Sequence, residues 1–374
     1  MNLKQMLVEM LNRKASDLHI RVGIRPHIRV NGHLEQLSAD PVNIDEMEDI
    51  VGQILNENQR ERFRKKNEMD LALSVAKLGR FRINLFRQRG TTGIALRAVN
   101  TVVPSFEELN LPVVIKDLAM EKRGLICVTG TTGSGKSTTL AAMTEHMNST
   151  RVDNILTVED PIEYIYRDKK CIIGQREVGA DTETFSAALR HALRQDPDII
   201  MIGEIRDQET MSIALTAADT GHLVLTTLHT LNALETITRI VSFFPPHQHQ
   251  QIRLLLAGTL KAIIGQRLLA RYDFPGRVPA LEILINTAAI RDAIVDPDKI
   301  TSIPDLIQDG GQYGMRSFDQ SIMELHRLGM ISFEEAMNHC SNRDDFDLRV
   351  KGITGAADRW KAEEQQEQSD FQKY

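Results

Sequence analysis

Gly130-Thr131-Thr132-Gly133-Ser134-Gly135-Lys136-Ser137 is the stretch that most limits what this chain can become. It fits G-x-x-x-x-G-K-[ST], in which a glycine-rich loop turns its backbone N–H groups toward phosphates. The flanks agree with the motif. Leu125–Thr129 is a short apolar run with the character of a buried strand, and Thr138–Met143 opens a helix. Glycines reach positive φ and let the backbone approach closely. The helix N-terminus adds its dipole to the loop amides. On this reading Thr131, Thr132, Gly133, Ser134, Gly135 and Thr138 cradle the phosphates. Lys136 reaches the β- and γ-phosphates, and the Ser137 hydroxyl goes to Mg²⁺.

At 374 residues the chain has room for two or three domains. Its 42% hydrophobic and 26% charged content is that of an ordinary globular protein. A net charge of −6 argues against nucleic acid as the main partner, which would call for a basic footprint. Cys127, Cys171 and Cys340 form no pair at metal-ligand spacing, and so sparse a count fits a reducing cytosol. No apolar run approaches the ~20 residues of a membrane span. Leu3, Leu7, Met10 and Leu11 make one helical face among charges, so the start reads as a surface helix and not a signal peptide. A cytoplasmic protein is expected, with any membrane link running through a partner.

The first hundred residues read as a small α+β domain. Strands are expected at Ser16–Val22, His27–Val30, Asp70–Val75, Gly79–Gln88 and Gly93–Val99. Asn31-Gly32 should turn a hairpin into His33–Leu37. One or two helices fill Asp45–Lys66, and residues 101–110 around Pro104 read as a linker. Arg80, Arg82, Arg87, Arg89 and Arg97 cluster here. Arg80 and Arg82 share one strand face by the period of two. These arginines either reach a nucleotide across a subunit boundary as fingers, or form a solvated basic strand or intersubunit salt bridges.

From Leu111 to Ala270 strands and helices alternate, which predicts a parallel sheet covered on both faces. Ligands of such sheets bind beyond the carboxyl ends of the strands. Three residues pass that test. Glu159 follows Asn154–Val158, Glu204 follows Ile199–Ile202 and Gly203, and His229 follows Leu223–Leu228. A carboxylate there either holds the Mg²⁺ hydration shell through water or orients the attacking water. Glu204 and Glu159 divide these jobs, with Glu204 the more direct, while a plain turn cap before Pro161 is the other role open to Glu159. His229 senses the γ-phosphate or bonds Glu204. Asp198 and His222 lie at the opposite strand ends and read as structural. Helices are expected at Phe185–Arg194 and at Asp207–Asp219 with Asp207 as N-cap. A long helix is expected after Phe243–Pro246, through Leu254–Leu256 to Leu268, with His247-Gln248-His249 as its polar start and not a metal site.

Beyond residue 270, short helices at Thr287–Val295, Pro304–Ile307, Ser317–Leu328 and Ser332–Asn338 predict a mainly helical region over 271–354. Residues 355–374, with Trp360 and a Glu/Gln-rich run, read as a polar frayed tail.

The order of these motifs resembles the type II/IV secretion ATPase superfamily, and most closely its type IV pilus retraction branch, the PilT-type twitching motility ATPases. Ser16–Ile20 is similar to the N-terminal signature of the family, Ile155–Tyr164 to its Asp box, Pro197–Asp207 to its atypical Walker B and Thr220–Thr230 to its His box. The resemblance covers roughly Met1 to Val350. It implies an α/β chain: a PAS-like N-terminal domain over 1–100, a RecA-like P-loop motor domain with a mainly parallel sheet over 111–270, and the C-terminal helical region. It implies ATP and Mg²⁺ as cofactors and a homohexamer with ATP at subunit boundaries, where Arg82 and Arg97 match the arginines that complete the neighbour's site. It further implies a place at the cytoplasmic face of the inner membrane, an inner-membrane pilus platform protein as partner with other pilus ATPases beside it, and work delivered as pilus retraction. Assembly and secretion relatives carry a longer N-terminal extension and a tetracysteine zinc element, and neither is expected here. Ala289–Asp296 matches the A-I-R-N-L-I-R-E motif of the retraction branch at four of eight positions, which leaves an accessory paralogue open. Pilus assembly, type II secretion, a nucleotide-gated scaffold with little turnover and a nucleic-acid translocase are the other readings, the last disfavoured by the acidic balance.

Overall fold

The computed structural model describes residues 2–30 and 32–351. Asn31 of the expected hairpin turn, Trp360 and the expected tail lie outside the described residues. The chain divides into two compact units. The first is the chain up to Val103 with residues 159–167 and 175–184; the second is the remainder.

The first unit holds helix α1 (Leu3–Asn12) and strands β1 (Asp17–Arg21), β2 (His27–Val30) and β3 (His33–Gln36). Helices α2 (Ile44–Ile54) and α3 (Glu57–Lys66) follow, then β4 (Glu68–Val75), β5 (Gly79–Gln88) and β6 (Thr91–Ala98). Each helix starts on an Asn capping box, at Asn2, Asn43 and Asn56. The six strands form one sheet in the order β3-β2-β1-β6-β5-β4. Alternation sorts its faces. Leu18, Ile20, Phe81, Ile83, Leu85, Ile94 and Leu96 point into a core with Met6, Leu7 and Met10 of α1 and Ile50 of α2. The opposite face is polar. Register places Asp17 beside Arg97 and Arg97 beside Arg82 in one row across it.

In the second unit, α4 (Val113–Ala119) leads into β7 (Gly124–Thr129), α5 (Lys136–Thr150), β8 (Asn154–Glu159) and β9 (Ile172–Glu177). Next come α6 (Phe185–Ala192), β10 (Ile199–Ile202), α7 (Gln208–Asp219), β11 (Leu223–Leu228), α8 (Ala233–Ser242) and α9 (His249–Thr259). A hairpin of β12 (Leu260–Ala270) and β13 (Arg277–Ile285) precedes α10 (Ala288–Val295), α11 (Ile303–Asp309), α12 (Phe318–Arg327), α13 (Phe333–His339) and α14 (Arg343–Val350). The sheet order is β13-β12-β7-β11-β10-β8-β9. Strands β12, β7, β11, β10 and β8 run parallel, and β13 is antiparallel to β12. Every residue of β7, β10 and β11 is buried, as a sheet covered on both faces requires.

One expectation is corrected here. The helix predicted to reach Leu268 stops at Thr259, and Leu260–Ala270 is a strand between β7 and β13. Burial on both faces removed the alternation that marks a strand, so the run resembled a buried helix. The region after residue 270 accordingly begins with a strand of the central sheet before its helices.

Candidate active site

The P-loop leaves the carboxyl end of β7, which lies between β11 and β12. Gly130, Gly133 and Gly135 take φ of 144°, 80° and 91°, values costly for residues with a Cβ. At two of them space is as tight as torsion. A Cβ on Gly130 would sit 2.4 Å from the Gln266 carbonyl oxygen, and one on Gly135 would sit 2.7 Å from the Gln266 side-chain nitrogen. Gln266 of β12 therefore underlies the loop. Its side-chain oxygen accepts the Thr139 hydroxyl at 2.8 Å inside the protein.

Gly135 is the N-cap of α5, so no side chain bonds the free amides there, which leaves them to an anion. Lys136 is buried, with Nζ donating to the carbonyls of Gly130 and Thr131 at 2.9 Å each. Thr131, Thr132 and Gly133 are exposed, and Ser137 and Thr138 are partly buried in the first turn of α5. The Ser134 hydroxyl is buried with no hydrogen-bond partner among the described residues. A cavity of about 280 Å³ opens beside Gly135 and Thr138, walled by Thr139, Gln266, Leu268, Arg271 and Arg277.

Glu204 and His229 are brought together. Strands β10 and β11 pair in parallel, Ile202 beside Thr226. Two bonds fix the loop between them: Ile205 N–H donates to the Thr227 carbonyl at 3.2 Å and the Thr227 hydroxyl to the Gly203 carbonyl at 2.6 Å. The carboxylate of Glu204, 12% exposed, meets the His229 Nε2 at 3.1 Å and the Arg206 guanidinium on its other oxygen. Register carries the pair toward the P-loop edge, since Leu228 lies beside Thr129, the last residue of β7.

Glu159 ends β8, whose Val158 pairs with Ile202 of β10, so it closes a strand at the same sheet edge. It is buried, and accepts the Glu163 N–H at 3.4 Å and the Gln175 amide at 3.3 Å. The first of these is the bond of a turn cap. Asp198 accepts the Asn154 N–H, and His222 meets the Ala217 carbonyl, both at the far strand ends.

The arginine cluster resolves residue by residue within the first unit. Arg80 pairs with buried Glu177 at 3.1 Å, Arg87 lies over the Phe63 ring, and Arg89 occupies a turn with φ of 50°. Arg97 bonds Asp17 at 2.7 Å. Burial works to raise the Asp17 pKa, but hydrogen bonds from Arg97 and Ser16 outweigh it and hold the carboxyl below its ordinary value. Arg82 lies in a cavity with Arg62, Asn84 and Arg97, and its side chain has no ion pair or hydrogen bond among the described residues.

Arg206, Gln266 and Arg277 escaped the sequence reading. A signal for the last two was present: Asp273-Phe274-Pro275-Gly276 is a turn sequence between two apolar runs, which marks a hairpin and not a helix. Among the described residues no His/Cys/Asp/Glu cluster could hold a metal by itself, and no helix is long and apolar enough to cross a membrane.

A glycine loop on a central parallel strand, an uncapped helix N-terminus and a carboxylate–histidine pair on the neighbouring strands define a P-loop nucleotide-binding protein. The model of the family described as Type II/IV secretion system protein matches residues 1–338, and the chain belongs to that family. It is 42% identical to the type IV pilus retraction ATPase PilT of Pseudomonas aeruginosa over 92% of this chain and all of that one. It is 40% identical to the type IV pilus ATPase PilU of the same organism, over 94% of this chain and 92% of that one. The crystal structure of the pilus retraction motor PilT with bound ADP is similar at TM-score 0.85 and 41% identity, covering 92% of this chain and 98% of that one.

Proposed function

We propose that this chain is a hexameric motor that hydrolyses ATP to retract type IV pili. The contact of Glu204 with His229 beside the P-loop carries the reading. The α5 amides, Lys136 and Ser134 receive the phosphates, and the cavity beside Gly135 takes the base and ribose. A carboxylate held between a histidine and an arginine is aimed, as is needed to orient and deprotonate water. The donors fit Mg²⁺ arriving on the nucleotide. Mg²⁺ is ordinarily bound by one or two protein oxygens plus substrate phosphates, and Ser137, with Glu204 or Glu159 through water, supplies such a set. Bound there, the ion neutralises charge on the phosphates.

In the ring, Arg82 and Arg97 of one subunit complete the neighbour's site. Closure of the N-terminal domain on the neighbouring motor domain, followed by its release, is a rigid-body switch. The inner-membrane platform receives the work. Near-equal identity to PilT and PilU, with half of the retraction motif changed, favours one second reading: an accessory retraction ATPase.

Steady-state hydrolysis and nucleotide binding test the site. Lys136→Ala should abolish turnover and weaken binding. Glu204→Ala should keep binding and lose turnover. Full turnover in the Glu204 variant would remove it from the chemistry. Excess pili without surface movement in a deletion strain would mark retraction, and loss of pili would mark assembly.

A further inference from the structure

Glu282 stands on β13 opposite Gly265 of β12. Its carboxylate accepts the Ala233 N–H at 2.6 Å. Ala233 is the first residue of α8, where helix N–H groups have no intrahelical partner. Directly before it runs the turn that carries His229 from β11 into α8. Other bonds also hold that turn. The Thr230 and Thr236 hydroxyls meet at 2.7 Å, Leu231 N–H donates to Glu235 at 2.8 Å, and Asn232 accepts the Glu235 N–H on its side chain at 2.8 Å and the Thr236 hydroxyl on its carbonyl at 2.7 Å. All of these are local to α8, whereas the Ala233 clamp reaches in from the sheet.

Glu282 has a second neighbourhood. Gly265 leaves a gap in β12 where a Cβ would sit 3.3 Å from the Glu282 Cβ and 3.0 Å from the Phe318 ring. Phe318, the first residue of α12, fills it. The Arg267 guanidinium lies 3.9 Å from the centre of that ring and donates to the His339 carbonyl, the last residue of α13, at 2.7 Å. Burial pushes the Glu282 carboxyl upward, against the Ala233 N–H and the Arg267 charge, with Asp319 adding to the rise.

We propose that Glu282 is a positioning residue: by clamping Ala233 it fixes the turn that sets His229 against Glu204, and through the Arg267–Phe318 stack it ties that placement to the seating of the C-terminal helices. His229 is 49% exposed and meets Glu204 through one 3.1 Å contact. Little except its own backbone holds it there. The inference rests on the reading of Glu204 and His229 as part of the hydrolytic site.

The test uses the full chain in three measurements: steady-state ATP hydrolysis, thermal unfolding, and hydrogen–deuterium exchange of the 228–236 segment. Glu282→Ala should cut kcat about tenfold or more, the weight of a bond to a charged acceptor. KM for ATP should stay within about twofold, as expected when ground-state binding is untouched. Exchange at Leu231 and Ala233 should speed up. Glu282→Gln keeps an oxygen for Ala233 and should recover most of kcat. Combined with His229→Ala, Glu282→Ala should add no further loss. Phe318→Leu should speed exchange in the same turn. The proposal is overturned if Glu282→Ala unfolds earlier while its folded fraction keeps full kcat, if exchange in the turn is unchanged, or if the double variant is slower than His229→Ala alone. Should Glu282→Ala fail to fold, the exchange of Glu282→Gln and Phe318→Leu decides. A wild-type chain that does not hydrolyse ATP would sink the functional reading, and the exchange measurements would still show whether Glu282 holds the turn.

Discussion

Gln266 makes the P-loop glycines separable by experiment. In Gly135→Ala the backbone stays at φ 91°, a strain of about 1–3 kcal/mol for a residue with a Cβ. The new methyl also lies 2.7 Å from the Gln266 side-chain nitrogen, so that amide must move and release the Thr139 hydroxyl. A buried hydroxyl left without its partner costs about 1–3 kcal/mol. Gln266→Ala alone releases the same hydroxyl and loses the same amount. In the double variant that loss counts once, so it should be milder than the sum of the singles by about 1–3 kcal/mol. Gly130→Ala behaves differently. Its methyl lies 2.4 Å from the Gln266 backbone oxygen, an atom that alanine at 266 also carries. That pair should therefore add to within about 0.5 kcal/mol. Denaturation midpoints of the five variants give both cycles. Binding of a fluorescent ATP analogue repeats them at the ligand, where about 1.4 kcal/mol is tenfold in Kd. Two equal coupling energies, or an additive Gly135–Gln266 pair, would refute the role assigned to Gln266.

Arg82→Ala should leave the nucleotide affinity of a monomer intact and lower ring turnover by at least about tenfold, a modest fraction of what an arginine finger supplies; unchanged ring turnover would make it a solvated strand residue. Asp17→Asn removes a carboxyl whose folded pKa lies below the 3.8 of the free group. The stability Asp17 contributes is therefore complete above the unfolded value and is lost as pH falls through the depressed one. The gap between wild type and Asp17→Asn in urea should hold from neutral pH to about 5 and close in stronger acid. Because Arg97 is 63% exposed the gap should be small, and a gap independent of pH would show that Arg97 is held by other means.

What could be read from the chain, and what could not, follows from where each strand stops. Strands β8, β10 and β11 end where the sheet ends, so Glu159, Glu204 and His229 fall at visible boundaries between an apolar run and a polar turn. Strand β1 and the 79–98 hairpin alternate cleanly because one face is core and the other polar, so the period of two put Arg80 and Arg82 on one face, whereas the register that sets Arg97 beside Arg82 was not legible. Arg206 stands two residues past Glu204 in the irregular stretch between β10 and α7, and no periodicity marks such a place. Strand β12 is the instructive failure. Its Gly265 lies beside Thr129 at the end of β7, and the strand then runs five residues further. Gln266 therefore occupies the carboxyl edge of the parallel sheet from the middle of its own strand, with no boundary in the sequence to announce it. The same overrun carries Arg267 onto Phe318 and Leu268 into the wall of the cavity beside Gly135. One long strand thus joins the floor of the P-loop to the seat of the C-terminal helices. Its neighbour across Gly265, Glu282, extends that join to the turn of His229. A substitution that shortens β12 or shifts its register by one residue would consequently disturb the P-loop and the His229 turn together, although none of the residues expected at the site lies on it.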